Sequence, residues 1–255
     1  MVSVLAPLFE PSISLYAEPC VGMGAVYLDL RARGFKGYAL LADTNGAVRS
    51  FWEHVHDATK AAVLLAAIRD LEAWPLTSDG HRAMCKEAVD TSSAEYVARF
   101  LWITNVSFAN NPAIYEKDHW RFEGTKLGGH PGPATWARIQ RQTEKVIAGL
   151  RGTACTILPD GVPLLAGLPT NASAYVDPPY FDKRQYGSGV LNARTFLDAA
   201  DACAASLVVL SEAVGEPETE GWEKYSKLVV DRVSQGTGAG GNREEVVFVR
   251  RRASR

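Results

Sequence analysis

Asp177-Pro178-Pro179-Tyr180, at the end of the apolar run Ala174–Val176, is the segment whose residue types could do the most specific chemistry. Two successive prolines fix φ and carry no N–H donors, so this turn presents a carboxylate, carbonyl oxygens and little else. The nitrogen of an exocyclic amino group, such as adenine N6, has its lone pair delocalised into the ring. If a carboxylate and a carbonyl each accept one of its N–H bonds, the nitrogen is drawn towards tetrahedral geometry and the lone pair is released to attack a methyl group. Asp177 would be the first acceptor and Pro178 the second, and the Tyr180 ring could stack on a base rotated out of a duplex. A simple strand-ending turn could have the same four residues, so the surrounding motifs carry weight.

The second constellation is Glu18-Pro19-Cys20-Val21-Gly22-Met23-Gly24, followed by Asp43. Two glycines at this spacing let the backbone approach a ligand closely, and an acidic residue at the end of the next strand can accept hydrogen bonds from ribose hydroxyls. The separation of about twenty residues between Gly24 and Asp43 suits a nucleoside, though dinucleotides use it too. Hydride transfer has no evident use for Asp177–Tyr180, which favours the nucleoside of a methyl donor.

These residues need a scaffold that brings strand ends together. Residues 15–19 read as a strand, Cys20–Gly24 as a turn, Ala25–Arg33 as a helix closed by Gly34, and Tyr38–Ala42 as a strand ending at Asp43, which is a βαβ unit. A long helical stretch, interrupted somewhere, is predicted from about Ala47 to Ala73, then a loop over Pro75–Gly80 and a helix from about His81 to Leu101. Between Asn105 and Pro133, Phe108, Tyr115, Trp120 and Phe122 lie among Asn, Gly and Pro, and little regular structure is expected. These aromatics suit either the small core of an inserted subdomain or contacts to unstacked bases. A helix over Thr135–Gly149 follows. Strands are predicted at Ala154–Leu158, Ala174–Asp177, Leu207–Leu210, Ser226–Val230 and Glu244–Arg250. A turn is expected at Pro159–Gly161 and a helix at Phe196–Ala205. The pattern predicts a mostly parallel sheet with an antiparallel edge.

At 255 residues and 47% hydrophobic content the chain can bury a full core. Cys20, Cys85, Cys155 and Cys203 stand far apart, as reduced thiols would. His54 and His56, two apart on a helix, do not share a face, so no metal site is expected. No secretory leader and no run of about eighteen apolar residues is visible, which predicts a soluble, cytoplasmic protein. The net charge of −2 argues mildly against a nucleic-acid binder. Local clusters permit one: Arg138, Arg141, Lys145 and Arg151 at mostly helical spacing, Lys183 with Arg184, and the Arg250–Arg255 tail, each readable equally as solvated surface.

With both motifs in order, the sequence resembles the Dam-type DNA adenine N6-methyltransferases, in which an E-P-F-x-G-x-G segment precedes D-P-P-Y and a target-recognition region lies between. The matching segments are YAEPCVGMGAVY (Tyr16–Tyr27), LADTN (Leu41–Asn45), CTILPDGVPLL (Cys155–Leu165), YVDPPYF (Tyr175–Phe181) and the closing RVSQGTGAGGNREEVVFV (Arg232–Val249). The resemblance implies an α/β, Rossmann-like class I methyltransferase sheet with an inserted, largely helical target-recognition region. It implies S-adenosylmethionine as cofactor, contacted by Glu18, Cys20, Gly22, Gly24 and Asp43, with Asp160 meeting the adenine ring. It implies Asp177, Pro178 and Tyr180 as catalytic residues, no metal, and duplex DNA with a flipped adenine as partner. Cys20 stands where the family has Phe, which removes an aromatic wall from the methionine site.

The expected organisation is a catalytic core of residues 1–58 and 150–255 with a target-recognition insertion at 59–149. The family's P-F-x-K-W-x-G-G-K segment has no counterpart between Met1 and Leu15, and a partner subunit or second copy of the chain could supply it. Its lack also keeps open a catalytically silent module that binds nucleic acid or a partner protein. A third alternative is an active enzyme that methylates RNA or a protein amide.

Overall fold

The structure, a computed structural model, describes residues 5–72, 90–106, 133–178, 193–212, 222–230 and 243–252. These divide into two compact units. One holds the described residues up to Arg49 and those from Gly152 to the carboxyl end; the other holds those from Ser50 to Arg151.

The first unit is built on a seven-stranded sheet: β1 (Leu15–Glu18), β2 (Tyr38–Ala42), β3 (Cys155–Leu158), β4 (Ala172–Val176), β5 (Leu207–Glu212), β6 (Glu223–Val230) and β7 (Arg243–Arg251), in the spatial order β3-β2-β1-β4-β5-β7-β6. β1 to β5 are mutually parallel, and β7 runs antiparallel between β5 and β6. The order reverses between β1 and β4, whose register pairs Leu15 with Ala172 and Ala17 with Ala174. The last strand of the chain is therefore internal, and β6 forms the edge.

Alternation along β1 sends its residues to two layers. Ala17 faces a core with Leu164, Leu165, Phe196 and Val208. Tyr16 lies within ring contact of Phe9, Tyr27 and Phe35, edge-on to Phe9 at 5.3 Å. Tyr27 belongs to α1 (Ala25–Ala32), where Arg31 is buried, donating to the Tyr27 hydroxyl and to the carbonyls of Phe35 and Ala154.

Several elements depart from the sequence expectations. The long helix breaks into α2 (Gly46–His56) and α3 (Ala58–Glu72), because the Asp57 carboxylate accepts the N–H groups of Thr59 and Lys60 and starts a new helix. α4 spans Ala94–Val106, with Ser93 capping it through the Tyr96 N–H. An Asp90–Ser92 turn precedes α4, so the helix does not run unbroken from His81; residues 81–89 lie outside the described residues. α5 covers Pro133–Leu150. A short helix, α6 (Gly161–Ala166), follows the expected turn; Pro163 is tolerated in its first turn, where the N–H would be unpaired anyway. β4 begins two residues earlier than the apolar run suggests and ends at Val176, which leaves Asp177 just past the strand.

α7 is Ala193–Ala202 and stops short of the expected Ala205. The reason lies at the far end of the chain. Arg250 is 5% exposed; it donates to the Asp201 carbonyl, to the Cys203 carbonyl at 2.9 Å and to Cys203 Sγ at 3.3 Å, and lies over the Trp222 ring. It satisfies the terminal carbonyls of α7 and pins them to β7. Arg250 is thus a structural residue, not part of a phosphate-touching tail; Arg252 adds a bond to the same Asp201 carbonyl.

In the second unit α3 packs against α4 and α5, and Trp102 of α4 stacks on Trp136 of α5 with centroids 4.1 Å apart. His54 Nδ1 lies 2.7 Å from the Ser50 carbonyl in the preceding helical turn. Among the described residues no helix is long and apolar enough to cross a membrane, and no group of His, Cys, Asp and Glu could hold a metal ion. Cys85, the aromatics Phe108 to Phe122, Pro179, Tyr180, Lys183, Arg184 and Arg255 lie outside the described residues.

Candidate functional site

The carboxyl ends of β1 to β4 open on one side of the sheet at its switch point, where open α/β sheets bind ligands. β1 leads into a turn in which the Gly24 N–H reaches the Val21 carbonyl at 2.7 Å and the Val21 N–H reaches Ala42 at 2.9 Å. Gly22 (φ 47) and Gly24 (φ 62) occupy left-handed backbone, where a β-carbon costs about 1 kcal/mol or more. The side of Gly22 where a Cβ would stand is open space. Gly24 is also the N-cap of α1, so the turn delivers the positive end of a helix dipole to the strand ends.

Asp43, past β2, binds this turn directly. Its Oδ2 accepts the Gly22 N–H at 2.9 Å and its Oδ1 accepts the Asn45 N–H at 2.8 Å. Burial raises its pKa, and these two N–H groups and Arg49 partly offset the shift. Each oxygen retains a lone pair on a half-buried side chain, the acceptor capacity a ribose diol needs. After β3, Asp160 caps α6 by accepting the Val162 N–H at 2.9 Å. The next residue, Gly161, lies so close to β1's exit that a Cβ would stand 2.1 Å from the Pro19 carbonyl oxygen. The ends of β1, β2 and β3 are thus tied together by named contacts.

Asp177 and Pro178 arrive from β4, Asp177 half-buried and Pro178 buried. Burial raises the pKa of the Cys20 thiol, and the carboxyl groups of Asp43, Asp177, Glu18 and Asp160 raise it further. The thiol stays protonated at neutral pH and is a poor nucleophile. The structure therefore gathers Glu18, Cys20, Gly22, Gly24, Asp43, Asp160, Asp177 and Pro178 at one end of the sheet; Tyr180 alone of the expected site residues is outside the described set.

Two participants were missed by sequence reasoning. Tyr16, two residues before Glu18 on the same face of β1, donates its hydroxyl to Glu18 Oε2 at 2.9 Å. Glu18 also receives the Tyr27 N–H, yet it is 2% exposed and its pKa is raised from 4.5 to about 8, by burial first, with the Asp177 charge adding to the effect. The other is Gly161, for which the only sequence signal was a glycine after a capping aspartate.

A stability prediction follows from Glu18. The folded protein holds this proton between pH 4.5 and about 8 while the unfolded chain has lost it, so the associated stability is full below 4.5 and is lost as pH rises through 8. Glu18→Gln keeps an acceptor for Tyr16 and carries no charge. Chemical unfolding should find the variant within about 1 kcal/mol of the parent at pH 5 and more stable at pH 9, by up to about 5 kcal/mol. A variant less stable than the parent at pH 9 would contradict the burial of an ionisable Glu18.

Strand order and direction define the fold as a Rossmann-like class I methyltransferase sheet; the antiparallel β7 between β5 and β6 separates it from the all-parallel dinucleotide-binding order. No family model matches the chain, and no curated protein does. Among solved structures, an Escherichia coli protein provisionally described as a methyltransferase aligns over 98% of this chain and 81% of its own, with 13% identity and a TM-score of 0.41. A Pyrococcus horikoshii protein provisionally described as an RNA methyltransferase aligns over 99% and 81%, with 8% identity and a TM-score of 0.42. A conserved hypothetical protein of Streptococcus pyogenes aligns over 92% and 85%, with 12% identity and a TM-score of 0.37. At these values the fold assignment rests on the strand order itself.

Proposed function

We propose that this protein is a member of the Dam-type group and transfers a methyl group from S-adenosylmethionine to the N6 amino group of adenine in duplex DNA. The observation that carries the reading is the convergence of Asp177 and Pro178 with the Glu18–Gly24 turn and Asp43 at the β1/β4 switch point. The glycine turn, its open side and the spare lone pairs of Asp43 fit a nucleoside cofactor. S-adenosylmethionine supplies, when bound, an electrophilic methyl group on a sulfonium.

In this reading Gly22 and Gly24 let the backbone approach the cofactor, Asp43 accepts from its ribose hydroxyls, and Asp160 lies towards its adenine. An Asp177 carboxylate oxygen and the Pro178 carbonyl each accept one N–H of the target amino group, and Tyr180 stacks on the flipped base. With both N–H bonds accepted, the nitrogen lone pair would be free to take up the methyl group that S-adenosylmethionine, held at Gly22, Gly24 and Asp43, would supply. The methylated nitrogen then gives up one proton to water, so no strong base is needed. Glu18, neutral through most of the physiological range, holds the floor of the site beside Asp177 without adding a second charge.

The test is label transfer from methyl-tritiated S-adenosylmethionine to mixed-sequence duplex DNA, with the product nucleosides separated. Label in N6-methyldeoxyadenosine supports the reading. Label in RNA or in a glutamine side chain, whose amide nitrogen poses the same lone-pair problem, would move the substrate to that class. No transfer to any acceptor would leave a silent binding module.

A further inference from the structure

Helix α5 carries a charge pattern that the site at the sheet does not use. Trp136, Ile139, Thr143 and Leu150 are buried, whereas Arg138, Arg141, Gln142 and Lys145 are exposed. At 3.6 residues per turn, positions 138, 141 and 145 fall within about 60° of one another, opposite the buried stripe. None of these three cations forms an ion pair or side-chain hydrogen bond among the described residues. The nearest carboxylate along the helix, Glu144, is turned to the flank and takes a hydrogen bond from Gln140 at 2.8 Å. Stacking of Trp136 on Trp102 and packing on α3 and α4 fix which face is outward.

On a chain with a net charge of −2, three unpaired cations on one rigid face with no intervening acid call for an anionic partner. Arg138 to Lys145 spans about 10 Å along the axis, at 1.5 Å per residue, comparable with about three phosphate steps of one DNA strand at 3.4 Å of rise each. We propose that the Arg138–Arg141–Lys145 face of α5 is a docking surface for the phosphate backbone of duplex DNA. The choice of DNA rests on the function proposed above; the surface itself stands on its own geometry.

The test replaces Arg138, Arg141 and Lys145 together by Gln and measures anisotropy of a labelled 24-base-pair duplex against full-length protein over a salt series. Loss of three phosphate contacts should lower the slope of log K against log salt by about 2.7 and weaken binding about 10- to 100-fold near 0.1 M salt. Circular dichroism should match the parent, and the charge-conserving Arg138→Lys/Arg141→Lys variant should retain the parent slope. An unchanged slope in the triple variant, or no salt-dependent binding by the parent, would overturn the proposal. Tighter binding to an RNA duplex of the same sequence, lost in the triple variant, would overturn its assignment to DNA. Methyl transfer is read separately: a triple variant with the parent slope but an active parent sinks only the surface, and an inactive parent whose slope falls as expected sinks only the transfer reaction.

Discussion

Replacement of Asp177 by Ala is expected to reduce methyl transfer by at least about 10³-fold while leaving the affinity for S-adenosylmethionine within about threefold of the parent. The magnitude follows from the cost of removing one preorganised polar group from an active site, about 10² to 10³ in rate, with Asp177 in the proposed reading one of two acceptors for the nucleophile. The preserved affinity follows from the separation of roles in the proposed reading, because the Val21 N–H bond to Ala42 and the Gly22 and Asn45 N–H bonds to Asp43 already tie the glycine turn to the end of β2. Asp177→Asn, which keeps an acceptor oxygen, should fall between the two. A second signature is independent of turnover: the Asp177 charge is one of the causes that raise the Glu18 pKa, so the Glu18 titration should move to lower pH in Asp177→Ala. Parent-level transfer by the Ala variant would remove the assigned role.

The second large effect is expected at Gly161, which has no chemistry of its own. A methyl group there would stand 2.1 Å from the Pro19 carbonyl oxygen and 2.8 Å from its carbon, both backbone atoms. No rotamer change relieves that contact, so Gly161→Ala must push apart the exit of β1 and the first turn of α6. Overpacking of this kind costs about 1 to 3 kcal/mol, and the displacement falls on Glu18, Pro19 and Cys20. A shift of about 1 Å in positioning groups costs about 10² in rate. Denaturant unfolding should therefore show the loss of stability, and kcat/KM should fall about 100-fold with Asp177 intact. A Gly161→Ala protein with parent stability and parent kinetics would mean that the close approach is not required.

What was legible from sequence was local and chemical. The glycine turn and the acid at the end of β2 each announce themselves by residue type, and the sequence reading of β2 reaches its true ends because Gly37 and Asp43 bracket its apolar run. What escaped depends on partners distant in the chain. The pairing of Leu15 with Ala172 extends β4 beyond its most apolar residues. Arg250, read as part of a charged tail, is drawn inward by Asp201 and Cys203, some fifty residues upstream. Tyr16 and Glu18 form a buried pair because strand alternation puts them on one face, and nothing in their types foretold that the carboxyl would keep its proton. Past the Pro159–Gly161 turn the sequence reading assigns no element to the residues of α6, because Pro163 argues against a helix there until Asp160 is seen to cap it.

The most direct test of the proposed function is calorimetric titration of the full chain with S-adenosylmethionine and with S-adenosylhomocysteine, in the presence and absence of duplex DNA. The glycine turn and Asp43 predict saturable binding with a dissociation constant in the micromolar range, abolished by Gly22→Val. No binding at millimolar cofactor under either condition would contradict a methyl-transfer function for this fold.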